Sequence, residues 1–120
     1  MRRTQAELEA HIWAVLSSFH RGHPAGIRND DLARQVGVSP RRLREAIAAL
    51  VRRDGQLIGS HPDHGVFAIE TAQDHALADS CLAHETFPTM DRRRALERAW
   101  RAHNRQQAMA QQPSLFEATP

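Results

Sequence analysis

Residues 29–70 have the sequence "NDDLARQVGVSPRRLREAIAALVRRDGQLIGSHPDHGVFAIE", which carries the clearest structural signals of the chain. The apolar spacing at its start predicts a short helix, roughly Asp30 to Val36, with Leu32 and Ala33 on the inner side. Gly37 is suited to end this helix, because glycine adopts the left-handed backbone conformation without steric cost. We therefore expect a helix end and a tight turn directly after residue 36.

A longer helix is predicted from Pro40 to about Arg53. Ser39 is a favourable N-cap because its hydroxyl can accept a hydrogen bond from a free backbone N–H, and proline fits the first helical position. Gly55 is placed to end the helix. Helical spacing turns four apolar residues towards the core: Leu43, Ile47, Leu50 and Val51.

An earlier helix is predicted to begin at the N-terminus, where Thr4 and Glu7 have the spacing of a capping box. The segment 22–26 contains two glycines and a proline and is expected to end it. Trp13 lies off the main apolar stripe and is expected to face a second surface. The stripe itself consists of Leu8, Ile12, Val15, Leu16 and Phe19.

Two short strands are predicted after the longer helix, "QLIGS" at 56–60 and "GVFAIE" at 65–70, joined by the turn "HPDHG" at 61–65. The resulting order is helix, short helix, three-residue turn, helix and hairpin. This order is typical of a winged helix-turn-helix. The predicted fold class is therefore mainly α with a small β-hairpin, a winged helix-turn-helix followed by C-terminal helices.

The stretch from about residue 5 to residue 70 resembles the winged helix-turn-helix DNA-binding domain of the biotin-repressor type. The resemblance implies a DNA-binding domain at residues 1–70 that inserts helix 40–53 into the major groove. The wing departs from the family pattern, since "GVF" stands where "GY" is common. The family's enzymatic members carry a further domain, and none is expected within these 120 residues. The residues that match the family are Leu32, Ala33, Val38, Ser39, Leu43, Ile47, Leu50, Gly55, Ile58, Gly65 and Phe67.

The outward side of helix 40–53 is predicted to contact DNA. Arginine can donate two hydrogen bonds to guanine in the major groove or neutralise phosphate. Recognition helices contact bases mainly from their N-terminal end. The alternatives are a solvated charged face and a winged helix that binds protein. The residues predicted to bind double-stranded DNA are Ser39, Arg41, Arg42, Arg44, Glu45, Arg52 and the wing histidines His61 and His64.

Residues 71–111 are predicted to form a helical extension. Thr71 is placed to cap a helix from about Ala72 to Glu85, and Thr89 to cap a last helix from about Met90 to Gln111. The first of these is acidic and the second basic, so the two helices are expected to pair antiparallel within one chain or across a homodimer. The apolar positions are Ala76, Leu77, Cys81 and Leu82 on the first, and Leu96, Ala99, Trp100 and His103 on the second, with Trp13 as a candidate neighbour of Trp100.

Residues 112–120 form a tail that contains "QPSLF", which resembles the pentapeptide that binds the bacterial sliding clamp. Gln112, Ser114, Leu115 and Phe116 match that motif, and Pro113 departs from the usual leucine. The resemblance implies that the glutamine binds one subsite and the Leu–Phe pair fills an apolar pocket. The alternative is a tail that folds back onto the core. The tail defines a second hypothesis, a phage or bacterial replication or repair accessory protein that binds DNA and recruits the sliding clamp.

The composition favours a globular protein that acts by binding. The chain has 120 residues, 41% of them hydrophobic, and its 16 basic residues are all arginine, with a net charge of +2. Cys81 is the only cysteine, which fits a reducing compartment, and neither a signal peptide nor a membrane span is apparent, so a cytoplasmic location is expected.

No catalytic constellation appears in the sequence, so we expect no enzyme and no cofactor. His61 with His64 and Cys81 with His84 have spacings that a metal could use, but exposed turn histidines and a packed cysteine explain them more simply, and no metal is expected. The leading hypothesis is a small bacterial or phage transcriptional regulator.

Overall fold

The computed structural model describes residues 4–83 and 90–111 and confirms a mainly helical fold with a small hairpin. No helix within these ranges is long and apolar enough to cross a membrane. A short 3-10 turn, His23–Ala25, follows the first helix. The helices are α1 (Gln5–Phe19), α2 (Asn29–Val36), α3 (Pro40–Asp54), α4 (Ala72–Ala83) and α5 (Met90–Gln111), and the strands are β1 (Ile58–His61) and β2 (Gly65–Ala68).

The predicted helix ends are confirmed by their hydrogen bonds. The Thr4 hydroxyl accepts from the Glu7 N–H at 3.1 Å, and the Ser39 hydroxyl accepts from the Arg42 N–H at the same distance. Gly37 has φ 78° and ψ 35°, the left-handed cap that glycine permits. These local interactions place α2 and α3 on either side of a three-residue turn, as the sequence predicts.

One apolar core joins the five helices and both strands of the described chain. Pairing of β1 with β2 is antiparallel, with Gly59 opposite Phe67. There is no room for a side chain at Gly59, because a Cβ there would come within 2.7 Å of the Ala78 Cβ on α4. The largest fully buried apolar side chains are Phe67, Leu8, Ile12, Leu16, Leu32, Leu43, Ile58 and Leu96, and Ile47 is also buried.

Two predictions about inward faces are wrong. Phe19 lies on the predicted apolar stripe of α1, yet it is 71% exposed, because it is the last residue of the helix and the chain turns away at His20. On α4, Ala76 is exposed and Leu77 only half-buried, while Asp74, Ala78 and Leu82 face the core. The inward stripe of α4 begins with a carboxylate, which a search for apolar periodicity does not count.

The segment after α1 extends the hairpin, which the sequence analysis did not predict. The Gly22 N–H donates to the Ala68 carbonyl at 2.7 Å, and Ile27 exchanges two backbone hydrogen bonds with Val66, at 2.7 and 2.9 Å. Arg21 and Ile27 thus form isolated bridges with β2, one parallel and one antiparallel, on either side of the 3-10 turn. Gly26 permits this close approach, because a Cβ there would overlap the carbonyl oxygen of His64.

Helices α4 and α5 pair antiparallel within one chain. This is one of the two arrangements predicted from the sequence, the other being pairing across a homodimer. Arg93 donates two hydrogen bonds to Asp79, at 2.7 and 3.0 Å, and His75 Nε2 lies 3.2 Å from a Glu97 carboxylate oxygen. Trp100 stacks on His75, with ring centroids 5.3 Å apart, rather than on Trp13. Ala78 and Leu82 of α4 and Ala95 and Leu96 of α5 belong to the common core, so the extension packs onto the winged helix. The predicted cap at Thr89 and the predicted end at Glu85 lie outside the described residues.

Candidate nucleic-acid interface

The N-terminal end of α3 presents three arginines beside the helix-turn-helix turn. Arg41 and Arg44 are exposed and Arg42 is half-buried. Ser39, which precedes them, uses its hydroxyl as the N-cap acceptor, and this bond holds the first turn of α3 in place. The free N–H groups of this turn add partial positive charge to that of the guanidinium groups. This end of α3 therefore has the charge and exposure needed to bind phosphate and guanine.

Glu45 lies on the same outward side as Arg41, one turn further along α3. The Arg41 Nε lies 3.3 Å from Glu45 Oε1, and the two side chains are 86% and 65% exposed. A solvent-exposed pair of this kind contributes little to stability and separates readily. Arg41 is consequently available to another anion, and Glu45 is left as an acceptor that could bind the amino group of cytosine.

Arg52 lies apart from Arg41, Arg42 and Arg44, with which it is grouped as a predicted DNA-binding residue. It lies three turns further along the helix, about 16 Å from Arg41 at 1.5 Å per residue. There it lines a groove of about 650 Å³ between α1, α3 and α5, together with Trp13, Arg98 and His103. The second surface predicted for Trp13 is this groove, whose far wall is α5.

Arg53 is exposed, but its guanidinium is held by two carboxylates. Its guanidinium binds Asp54, with Nε–Oδ1 at 2.9 Å, and it also donates to the Glu9 carboxylate. Glu9 is only 3% exposed and receives a second hydrogen bond from the Gln5 amide at 3.0 Å. The hydrogen bond to Asp54 and the one to Glu9 raise the pKa of Arg53 above its usual range. The burial of Glu9 is not evident from the sequence, because a glutamate on the first helix is typical of a surface residue.

The wing presents histidines and an acid rather than arginines. His61 and His64 are half-buried, and their rings lie 5.2 Å apart. The Asp63 N–H donates to His61 Nδ1 at 3.1 Å, and the Asp63 carboxylate is 82% exposed at the wing tip. His64 also contacts His23 edge-on, with ring centroids 4.8 Å apart. The wing tip therefore carries a negative charge beside the two predicted DNA-binding histidines.

A buried carboxylate, which the sequence analysis did not single out, anchors the wing to α4. Asp74 is 1% exposed and accepts hydrogen bonds from the N–H groups of His23, Glu70 and Thr71 at 2.9 to 3.0 Å. Its Oδ1 also lies 2.5 Å from His23 Nδ1. In return the Asp74 N–H donates to the Thr71 hydroxyl at 3.1 Å, which completes a capping box.

The ionisation of Asp74 follows from these bonds. Burial disfavours the charged form, but the hydrogen bonds from His23, Glu70 and Thr71 outweigh this effect and hold the pKa of the carboxyl well below its usual range. The spacing of Thr71 and Asp74 could have revealed the capping box, since it repeats the Thr4–Glu7 pattern. Nothing in the sequence indicates the partner His23, which lies 51 positions away.

The metal-ligand spacings of the sequence do not assemble a site in the part of the chain that the structure describes. There, no group of three or more His, Cys, Asp or Glu side chains is arranged to hold a metal ion. His84, and the clamp-motif residues Gln112, Ser114, Leu115 and Phe116, lie outside the described residues. A homodimer stays a prediction.

Comparisons of the chain with known protein families, with curated proteins and with solved structures found no match.

Proposed function

We propose that the protein binds double-stranded DNA through α3, as a small transcriptional regulator that places Arg41, Arg42 and Arg44 in the major groove. The observation that carries the proposal is that these arginines lie within the first two turns of the second helix of a helix-turn-helix, with Arg41 and Arg44 exposed and Arg42 half-buried. The lone half-buried Cys81 is consistent with action in a reducing cytoplasm.

The charge pattern supports DNA as the partner rather than another protein. Recognition of duplex DNA requires cations that contact the backbone and donors or acceptors that contact base edges. Arg41 and Arg44 supply cations, and Glu45 supplies an acceptor on the same side of the helix. A protein-binding face would be expected to present aromatic anchors beside its arginines, and α3 contains no aromatic residue.

The proposal is tested by titrating a labelled duplex with the full chain at several salt concentrations. We expect the logarithm of affinity to fall linearly with the logarithm of salt, with a slope of about −3 or steeper. Glu45→Gln removes a negative charge from the interface, so it should tighten non-specific binding about fivefold, equivalent to about 1 kcal/mol.

A matched control separates a local effect from a change of net charge. Glu7→Gln alters the net charge equally but lies on the exposed first turn of α1. It should leave the affinity within about twofold of the parent, since exposed charges beyond a Debye length of about 10 Å are screened. Equal effects of the two variants would remove the support for α3 as the interface, and no binding at low salt would refute the proposal.

A second candidate function rests on the tail motif. Here the winged helix holds DNA while Gln112, Ser114, Leu115 and Phe116 bind a bacterial sliding clamp in replication or repair. The motif begins directly after the end of α5, whose last turns are exposed, so a partner could reach a peptide attached there. Two apolar anchors in a short peptide supply most of the affinity in such complexes.

This second candidate is tested by titrating purified bacterial clamp with a labelled peptide of residues 108–120. We expect saturable binding that is lost in the Leu115→Ala/Phe116→Ala peptide, because both apolar anchors are removed. Absence of saturable binding by the parent peptide would exclude the clamp. The regulator proposal would be unaffected, since it uses only α3.

A further inference from the structure

Four arginines form a stripe along the outer side of α5: Arg94, Arg98, Arg101 and Arg105, hereafter the arginine stripe. Their spacings of four, three and four residues place them within about 60° of one another around the helix axis. All four are exposed, and Leu96, on the opposite side of α5, is buried in the core. The packing of Leu96 therefore turns the arginine stripe outward, with Arg98 also lining the groove that contains Arg52.

The arginine stripe is only weakly neutralised. Arg101 donates to Glu97 at 2.9 Å, in a pair whose guanidinium is 71% exposed. Over residues 4–83 and 90–111, no acidic side chain forms an ion pair with Arg94, Arg98 or Arg105. Residues 98–111 contain no Asp or Glu at all. This surface therefore carries positive charge that an external polyanion could bind.

We infer that the arginine stripe is a second binding surface for the phosphate backbone of duplex DNA, separate from the N-terminal end of α3. The inference rests on the proposed function only for the choice of DNA as the polyanion. The four residues span about 16 Å along α5, whereas phosphates of one DNA strand follow one another every 3.4 Å along the duplex axis. A rigid helix can thus align several guanidinium groups with one strand, without contacting bases.

The position of α5 makes the two surfaces distinct. Ala99 lies beside Gly55 at the C-terminal end of α3, where a Cβ on Gly55 would be 3.8 Å from the Ala99 Cβ. Arg41, Arg42 and Arg44 lie at the opposite end of α3, which is about 22 Å long. One protein molecule can therefore contact duplex DNA at two places, with sequence contacts at α3 and charge contacts alone at the arginine stripe.

The test measures the binding of four proteins to a labelled duplex of random sequence by fluorescence anisotropy. The first is the parent, and the second is a recognition variant, Arg41→Ala/Arg42→Ala/Arg44→Ala. The third is a stripe variant, Arg94→Gln/Arg98→Gln/Arg105→Gln, and the fourth combines all six substitutions. Glutamine keeps much of the side-chain stem, and the three positions face solvent, so equal melting temperatures are expected. The stripe variant should lose about tenfold in affinity and reduce the magnitude of the salt slope by about two to three. The combination should lose the remaining binding of the recognition variant.

Moving one charge across the helix controls for net charge. Arg105→Gln/Gln107→Arg keeps the total charge but places the arginine on the far side of α5. It should bind duplex DNA as weakly as Arg105→Gln alone. An unchanged affinity and slope in the stripe variant, or tighter binding of the parent to duplex RNA of the same length, would overturn the inference. If the recognition variant keeps parental affinity while the stripe variant loses it, the proposed function fails and the inference stands.

Discussion

Replacing Arg41, Arg42 and Arg44 together by alanine should lower the affinity for the preferred DNA site at least about a hundredfold, a loss of about 3 kcal/mol or more. Each arginine that forks onto guanine contributes about 1–3 kcal/mol of discrimination, and each phosphate contact contributes about 0.9 to the salt slope. The magnitude of the slope should therefore fall by two to three. Anisotropy titrations of the selected site at several salt concentrations measure both quantities.

The fold should survive this triple change. The only ion pair formed by these three side chains within the described residues is the exposed Arg41–Glu45 pair. The hydrogen bond that caps α3 is donated to the Ser39 hydroxyl by the Arg42 backbone N–H, which alanine retains. Arg52→Ala serves as a control for position, since it removes one positive charge from the same side of α3 about 16 Å away. We expect Arg52→Ala to change the affinity less than threefold, and parental affinity in the triple variant would refute the recognition-helix assignment.

Replacing Asp74 by alanine should destabilise the fold by about 3–5 kcal/mol, a large part of the stability of a small domain. The change leaves the partly buried N–H groups of His23, Glu70 and Thr71 without their acceptor, and each such group costs up to about 1–3 kcal/mol where water cannot replace the carboxylate. It also removes half of the capping box at the start of α4. Urea unfolding followed by circular dichroism measures the loss of free energy.

The contribution of Asp74 also depends on pH, with a definite sign. The pKa of Asp74 is lowered in the folded protein, so its contribution to stability is present above the unfolded pKa of about 3.9 and is lost as the pH falls through the folded value. The difference in unfolding free energy between the parent and Asp74→Asn should therefore shrink as the pH is lowered below about 4.

The control for Asp74 lies on the same helix. Asp79 pairs with Arg93 at the surface, and Asp79→Asn should cost less than about 1 kcal/mol, as exposed ion pairs usually do. If Asp74→Ala melted within a degree or two of the parent, the assignment of Asp74 as the anchor of the wing would be wrong. A difference between the parent and Asp74→Asn that stays constant down to pH 2 would contradict the ionisation argument.

Features that depend on a few neighbouring residues could be predicted from the sequence. The Ser39 cap, the left-handed turn at Gly37 and the inward side of α3 follow from hydrogen bonds and side-chain spacing within one or two helical turns. The exposed position of Arg41 follows from the same spacing. Local sequence was therefore sufficient to predict the helix-turn-helix order and the arginines at the start of α3.

Features that join distant parts of the chain were decided only by the tertiary structure. Asp74 is buried because His23, 51 positions earlier, is brought beside it, and Glu9 is buried because Arg53 reaches it from α3. Phe19 is exposed although it lies on the apolar stripe of α1, because the chain turns away at His20. Periodicity indicates which side of a helix is apolar. The burial of a charge depends on hydrogen-bond partners whose positions only the folded chain determines, since an unpaired buried charge is too costly to persist.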